Sequence, residues 1–299
     1  MLAHKIKADG LLMLTALIWG AAFVAQRLGM DHVGPFTFNG VRFALGALAL
    51  QPLIWKMQQT RAREGGGSGL ATRRIILCGL AAGCVLFAGA ALQQVGIVYT
   101  TAGKAGFITG LYVVMVPLFG LALGQRAGAS TWMGALAAAA GLYLLSVNED
   151  FSIAYGDVLE LIGAVFWAGH VLLIGKLSPG MDGVDAVKLA AAQFVVCAGL
   201  SLGAGVCTES ITLAGLSGAA VPILYGGLMS VGVAYTLQVV AQRDADPAHA
   251  AIILSLEAVF AAVTGYFVLD EVLSPRAMLG CGLMLGGMLI SQLKQQPAA

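Results

Sequence analysis

Ten apolar runs dominate the chain, at residues 10–28, 35–55, 73–98, 102–123, 130–147, 156–176, 184–206, 218–241, 247–269 and 275–293. Each is close to the roughly 20 residues that an α-helix needs to cross the hydrocarbon core of a bilayer. Composition excludes a water-soluble fold: 59% of the 299 residues are apolar and 10% are charged, against about a quarter charged in soluble domains. The runs are apolar on every side, whereas a membrane barrel strand alternates apolar and polar residues. The chain therefore reads as an all-α integral membrane protein with ten transmembrane helices. The clearest helix starts are Asp246 before Pro247 and Ser274 before Pro275, each a side-chain acceptor followed by a residue that needs no N–H partner.

Orientation follows from where the cations lie, not from the net charge of +1. With the N-terminus in the cytoplasm, Lys5, Lys7, Lys56, Arg61, Arg63, Arg73, Arg74, Arg126, Lys176, Lys188, Arg243 and Lys294 fall in or beside inner loops. Glu149, Asp150, Glu209, Asp270 and Glu271 fall outside, with Arg276 as the basic exception and Arg27 and Lys104 near outer helix ends. This predicts both termini in the cytoplasm and a location in a bacterial inner membrane. The run after Lys5 and Lys7 contains Trp19 and continues through Val24, which suits a first spanning helix better than a cleaved signal. The glycine-rich residues 65–69 lack a following Lys-Ser/Thr and read as a linker. Cys78, Cys84, Cys197, Cys207 and Cys281 form no CxxC pair and read as small core residues. No basic patch with interleaved aromatics points to nucleic acid.

The chain is internally doubled. Residues 16–20 (ALIWG) match 164–168 (AVFWA), placing Trp19 opposite Trp167; Leu92 and Gln93 match Leu237 and Gln238; Gly120 matches Gly265. Two repeats, 1–150 and 151–299, then carry five spans each. An odd number of spans sends the second repeat into the membrane from the opposite side, and such inverted repeats characterise secondary transporters. A small-molecule substrate and the lipid bilayer are the expected partners, no cofactor is implied, and the oligomeric state stays open, a monomer included.

Glu257 lies ten residues after Pro247, about 15 Å along a helix and near mid-membrane. It shares a helical stripe with Ile253, Phe260 and Thr264, and reads either as a proton carrier or substrate-amine partner, or as a structural carboxylate. Arg42 is read two ways, as a clamp for a substrate carboxylate or partner of Glu257, or as a side chain snorkelling to the outer headgroups. Snorkelling also suits Lys104, and Glu160 suits an interfacial place. Trp19, Phe23 and Gln26 share one helix face, and Tyr235, Gln238 and Gln242 another. With Trp167, and with Tyr99, Tyr112 and Tyr225 as further rings, they form a candidate cavity lining or ordinary helix packing. His170 is a candidate proton relay or a packing histidine, and His249 is expected to touch inner water; neither has a metal-ligand partner one turn away.

Five GxxxG pairs, Gly79/Gly83, Gly106/Gly110, Gly120/Gly124, Gly199/Gly203 and Gly282/Gly286, are consistent with close helix approach. Pro117, deep in the fourth run, predicts a kink and is a hinge candidate. No GxxxxGK[ST], GxSxG or HExxH motif is present, which argues against ATP hydrolysis and an intramembrane enzyme.

Residues 256–265 (LEAVFAAVTG), followed by Asp270, Glu271, Ser274, Pro275 and a glycine-rich run to Ile290, resemble the second repeat of the EamA-type family in the drug/metabolite transporter superfamily. Residues 100–124, residues 17–20 and the Arg42-Phe43 pair resemble its first repeat. One departure is Ala258, where the family often has proline after Leu-Glu. The resemblance implies ten helices in two inverted five-helix repeats and a small-metabolite transporter, often an exporter of amino acids. The aromatic residues suit an apolar or aromatic amino acid, and the alternatives are a channel-like facilitator or a multidrug exporter of organic cations.

Overall fold

The computed structural model describes residues 2–64, 69–100, 102–125, 127–146, 154–269 and 274–292. The glycine-rich residues 65–68, Arg126, Glu149, Asp150, Asp270, Glu271, Lys294 and the side chains of Lys5 and Lys104 lie outside them. The described residues are helical, with no strand among them. The helices are α1 (Leu2–Gly29), α2 (Pro35–Arg63), α3 (Thr72–Tyr99), α4 (Ala102–Gly110), α5 (Tyr112–Ala122), α6 (Ala129–Ser146), α7 (Tyr155–Leu177) and α8 (Gly183–Thr208). They continue with α9 (Leu213–Gly218), α10 (Ala220–Leu224), a π-helix (Tyr225–Tyr235), α11 (Thr236–Ala241), α12 (Pro247–Leu254), α13 (Glu257–Leu269) and α14 (Pro275–Gln292). Seven helical stretches are long and apolar enough to cross a membrane, and two shorter apolar ones are Ala129–Leu144 and Met278–Ser291.

Helix ends follow local chemistry. Asp246 caps α12 by accepting from the N–H groups of Ala248 and His249, as its place before Pro247 predicts. At α2 the cap is long-range: Gly34 offers no side chain, and the Glu209 carboxylate accepts from the N–H groups of Phe36 and Thr37 and from the Thr37 hydroxyl. A β-carbon at Gly34 would collide with that carboxylate. At the other end of the bundle Arg61 pairs with Asp182 and Asp185 at 3.2 and 3.4 Å, which ties the end of α2 to the start of α8.

Two spans are broken rather than kinked by proline. The α4–α5 break falls at Leu111 and the α12–α13 break at Ser255 and Leu256, each closed by a tight three-residue backbone bond, Leu111 N to Ile108 O and Leu256 N to Ile253 O. α5 runs unbroken through Pro117, so the interruption sits six residues before the predicted hinge. The second break occurs without the family's proline, Ala258 standing inside α13. It also divides the expected stripe, leaving Ile253 on α12 and Glu257, Phe260 and Thr264 on α13.

Contacts are most extensive between α6 and α14, α2 and α8, and α3 with α7 and α8. Between α6 and α14 the backbones touch at glycines seven residues apart: a β-carbon at Gly134 would lie 2.6 Å from the Gly287 carbonyl oxygen, and one at Gly141 2.5 Å from that of Gly280. The four-residue pairs correct the expectation. Gly79 and Gly83 do meet Ala192 and Val196 of α8, whereas Gly199, Gly203, Gly282 and Gly286 face open space. Cys84 and Cys207 are likewise exposed rather than in the core. Gly141→Val should therefore cost about 1–3 kcal/mol by overpacking, read as a lower unfolding midpoint in detergent, while Gly282→Val leaves the midpoint unchanged.

Candidate functional site

A cavity lies where α1, α2, α3, α4, α5, α7, the π-helix, α11, α12 and α13 converge. Its empty volume is about 460 Å³, including the part continuous with its opening, within the range of small-molecule sites. Trp19, Phe23, Gln26, Arg42, Gln93, Thr109, Tyr112, Trp167, Val171, Ser230, Tyr235, Gln238, Leu254 and Glu257 line it. All eight candidate substrate residues, Trp19, Phe23, Arg42, Tyr112, Trp167, Tyr235, Gln238 and Glu257, thus reach one place.

The aromatic wall is centred on Tyr235. Trp19 lies 4.5 Å from it, tilted, and Trp167 lies 6.1 Å away, stacked. Backbone proximity sets these rings. A β-carbon at Gly20 would fall 2.5 Å from Cβ of Phe260, so α1 docks tightly on α13, and one at Gly89 of α3 would lie 3.2 Å from the Trp167 ring. The Trp19 indole N–H donates to the Ser230 carbonyl in the π-helix at 3.3 Å. The wider turns of a π-helix redirect backbone carbonyls and are frequent at functional sites.

Arg42 is 2% exposed, so it does not snorkel. Its Nε donates to Asn39 Oδ1 at 2.9 Å, Asn39 in turn donates to the Ala90 carbonyl, and the guanidinium lies over the rings of Phe38 and Phe43. Gly226 of the π-helix leaves room for its stem. Among the described residues no carboxylate lies within 4.0 Å of Arg42, and no pair with Glu257 forms. Glu257, the first residue of α13, accepts from the Tyr112 hydroxyl at 3.2 Å. Tyr112 is the first residue of α5. Each break therefore presents a helix N-terminus, with its partial positive charge, at the cavity.

Other candidates fall elsewhere. Tyr99 is exposed beside Tyr155, and Tyr225 donates to the Ile18 carbonyl outside the lining. Gln242 donates to the Val171 carbonyl. His170 lies behind the aromatic wall, edge-on to Trp167 and Tyr235, with Nε2 2.9 Å from Gln193 Oε1. His249 is half-buried, held between Asp9 at 3.0 Å and Ser291 at 3.1 Å. Glu160, expected at the interface, is fully buried, because Gly96 of α3 lies directly against its carboxyl group. Asn39 and Ser230 were not among the sequence candidates; Asn39 stands one helical turn before Arg42, a spacing that marks a partner. Among the described residues no group of three His, Cys, Asp or Glu side chains is placed to hold a metal.

Comparison with known proteins defines the class. Residues 6–147 and 154–292 each match the EamA-like transporter family. The chain belongs to that family and is a multi-pass membrane transporter. It is 32% identical over 97% of its length to an uncharacterized transporter of Archaeoglobus fulgidus, of which the match covers 87%. It is 25% identical over 95% of its length to the uncharacterized inner membrane transporter YedA of Escherichia coli K12, of which 90% is covered. A crystal structure 17% identical in sequence shares the fold, with a TM-score of 0.74 over 95% of this chain and 96% of that one.

Asn39→Ala should lower stability by about 1–3 kcal/mol, since it leaves the Arg42 Nε donor buried without an acceptor. A double-mutant cycle with Arg42→Met, followed by thermal unfolding in detergent, should show the two substitutions to be strongly non-additive.

Proposed function

We propose that this protein is a secondary active transporter that carries a small zwitterionic metabolite, an apolar or aromatic amino acid, outward by alternating access. The observation that carries the reading is one aromatic-walled cavity holding both a carboxylate and a guanidinium that has no carboxylate partner among the described residues. Arg42 fits a substrate carboxylate, to which a planar guanidinium can donate two parallel bonds. Glu257 and the Gln238 carbonyl oxygen, which has no partner among the described residues, fit an ammonium group. The Trp19, Tyr235 and Trp167 rings fit the side chain.

We infer further that the chain is ten spans in two inverted repeats, 1–150 and 151–299, with both termini in the cytoplasm of a bacterial cell. The family match falls twice, once in each half. The two broken spans align at an offset of 145 residues, the separation of Tyr112 and Glu257. The packing is paired in the same way: α3 against α7 answers to the π-helix and α11 against α1, and α1 against α13 answers to α7 against α4 and α5. α2 with α8 and α6 with α14 are their own counterparts. The orientation rests on the gathering of basic residues in one set of loops.

A second reading is an exporter of organic cations. The stacked aromatic residues beside Glu257 favour it, because aromatic faces attract cations. Arg42 decides between the two. In proteoliposomes, counterflow of labelled phenylalanine is expected to saturate, to be lost in Glu257→Gln, and to show a KM raised roughly tenfold or more in Arg42→Lys, which loses bidentate geometry. Cation exchange that is indifferent to Arg42 would establish the second reading instead. A cysteine placed at residue 66 should react from the cytoplasmic side only, and periplasmic labelling would overturn the orientation.

A further inference from the structure

Glu160 is a buried acid that the site described above does not use. It lies on α7 at 0% exposure. Its Oε2 accepts from the Thr109 hydroxyl at 3.1 Å, while Oε1 has no hydrogen-bond partner among the described residues. No Lys, Arg or His among them pairs with it within 4.0 Å. Thr109 lines the cavity, three residues before Tyr112 and across the break at Leu111 from it, and Tyr112 is the donor to Glu257. In the other direction Asp157 stands one turn before Glu160. It accepts from the Thr100 hydroxyl and from the Ala154 N–H, at the end of the bundle where α3 stops and α7 begins. Polar groups thus follow one another from that end to the cavity: Thr100, Asp157, Glu160, Thr109, then Tyr112 and Glu257.

The packing around this line is tight. A β-carbon at Gly156 would lie 2.6 Å from the Gly96 carbonyl oxygen, and one at Gly96 2.9 Å from Glu160 Oε1. Such a wall offers the orphan oxygen no donor, and a buried polar atom left without a partner is unfavourable. The titratable residues on the adjoining stretches are Tyr99 on α3, Tyr112 on α5, and Tyr155 and Asp157 on α7; Tyr99 and Tyr155 are exposed and pack on each other, and the Lys104 side chain on α4 lies outside the described residues.

We propose that Glu160 is the proton-binding group that couples transport to a proton gradient, loaded through Asp157 from the α3–α7 end and sensed in the cavity through Thr109. The proposal rests on the secondary-transporter reading and assigns coupling to a residue outside the substrate lining. One proton binds the Glu160 carboxylate from water at the α3–α7 end, stays on it as the neutral acid through the closed state, and leaves on the opposite side, past Thr109 and into the cavity, once the cavity opens there.

The test has two parts with separable failures. In proteoliposomes given an imposed pH gradient and clamped potential, the wild type should accumulate labelled phenylalanine, and Glu160→Gln should lose accumulation while keeping counterflow. Accumulation retained in Glu160→Gln, or a wild type that exchanges phenylalanine yet ignores the gradient, overturns the proposal. The second part needs no substrate. The purified wild type should show the infrared carbonyl stretch of a protonated buried carboxyl at neutral pH, Glu160→Gln should remove it, and the near-isosteric Thr109→Val should shift it by removing the donor. A spectrum unchanged by both variants overturns the assignment even if phenylalanine proves not to be the substrate, whereas absent phenylalanine exchange with the spectral changes intact condemns only the substrate.

Discussion

Inside a bilayer no water is available to hydrogen-bond a backbone amide or carbonyl, so each must be satisfied within the protein. That single constraint makes the described chain helical, and it also limits where a helix can be interrupted. The interruptions here are concentrated: the breaks at Leu111 and at Ser255 and Leu256, and the π-helix Tyr225–Tyr235, all border the same cavity. Irregular backbone is tolerated where it lines a cavity or is enclosed by protein, and here both conditions hold. Each departure supplies something regular helix cannot, namely two helix N-termini at Tyr112 and Glu257 and the Ser230 carbonyl that orients Trp19.

The same constraint prices the polar side chains. Asn39 takes one donor of Arg42 and two phenylalanine rings lie against its face, leaving the rest of the guanidinium for whatever enters. Gln93 donates to the Gln26 side-chain oxygen across α3 and α1, and the Gln26 amide donates to the Ala22 carbonyl. The cavity wall is thus divided between groups already committed to partners and a small remainder that is not. That remainder sets recognition.

Much of this was legible from residue order. The apolar runs, the capped start at Asp246 and the pairing of Trp19 with Trp167 rest on local chemistry or on duplication, and both leave marks in sequence. The eight substrate candidates converge on one cavity because polar and aromatic residues in apolar helices have few other places to go. What was not legible depends on three-dimensional company. Glu160 sits only two turns from a helix start, where water is the usual neighbour, and the approach of Gly96 on α3 and Thr109 on α4 buries it. Pro117 attracted the hinge because proline is visible, whereas a tight turn at Leu111 uses ordinary residues. The glycine contacts of α6 and α14 repeat every seven residues, and a four-residue pattern passes over them. Nothing in Tyr225–Tyr235 marks a π-helix.

Those glycine contacts carry a mechanical consequence. Where Gly134 meets Gly287 and Gly141 meets Gly280, the two backbones mesh without side chains between them, and any sliding of α6 along α14 would drive carbonyl oxygens into the opposing chain. Shear is blocked at that joint, so the pair behaves as a fixed axle. By the same reasoning the contact of Gly156 with the Gly96 carbonyl resists sliding of α7 along α3, so any rearrangement of the bundle has to be taken up at joints where side chains, not bare backbones, stand between the helices.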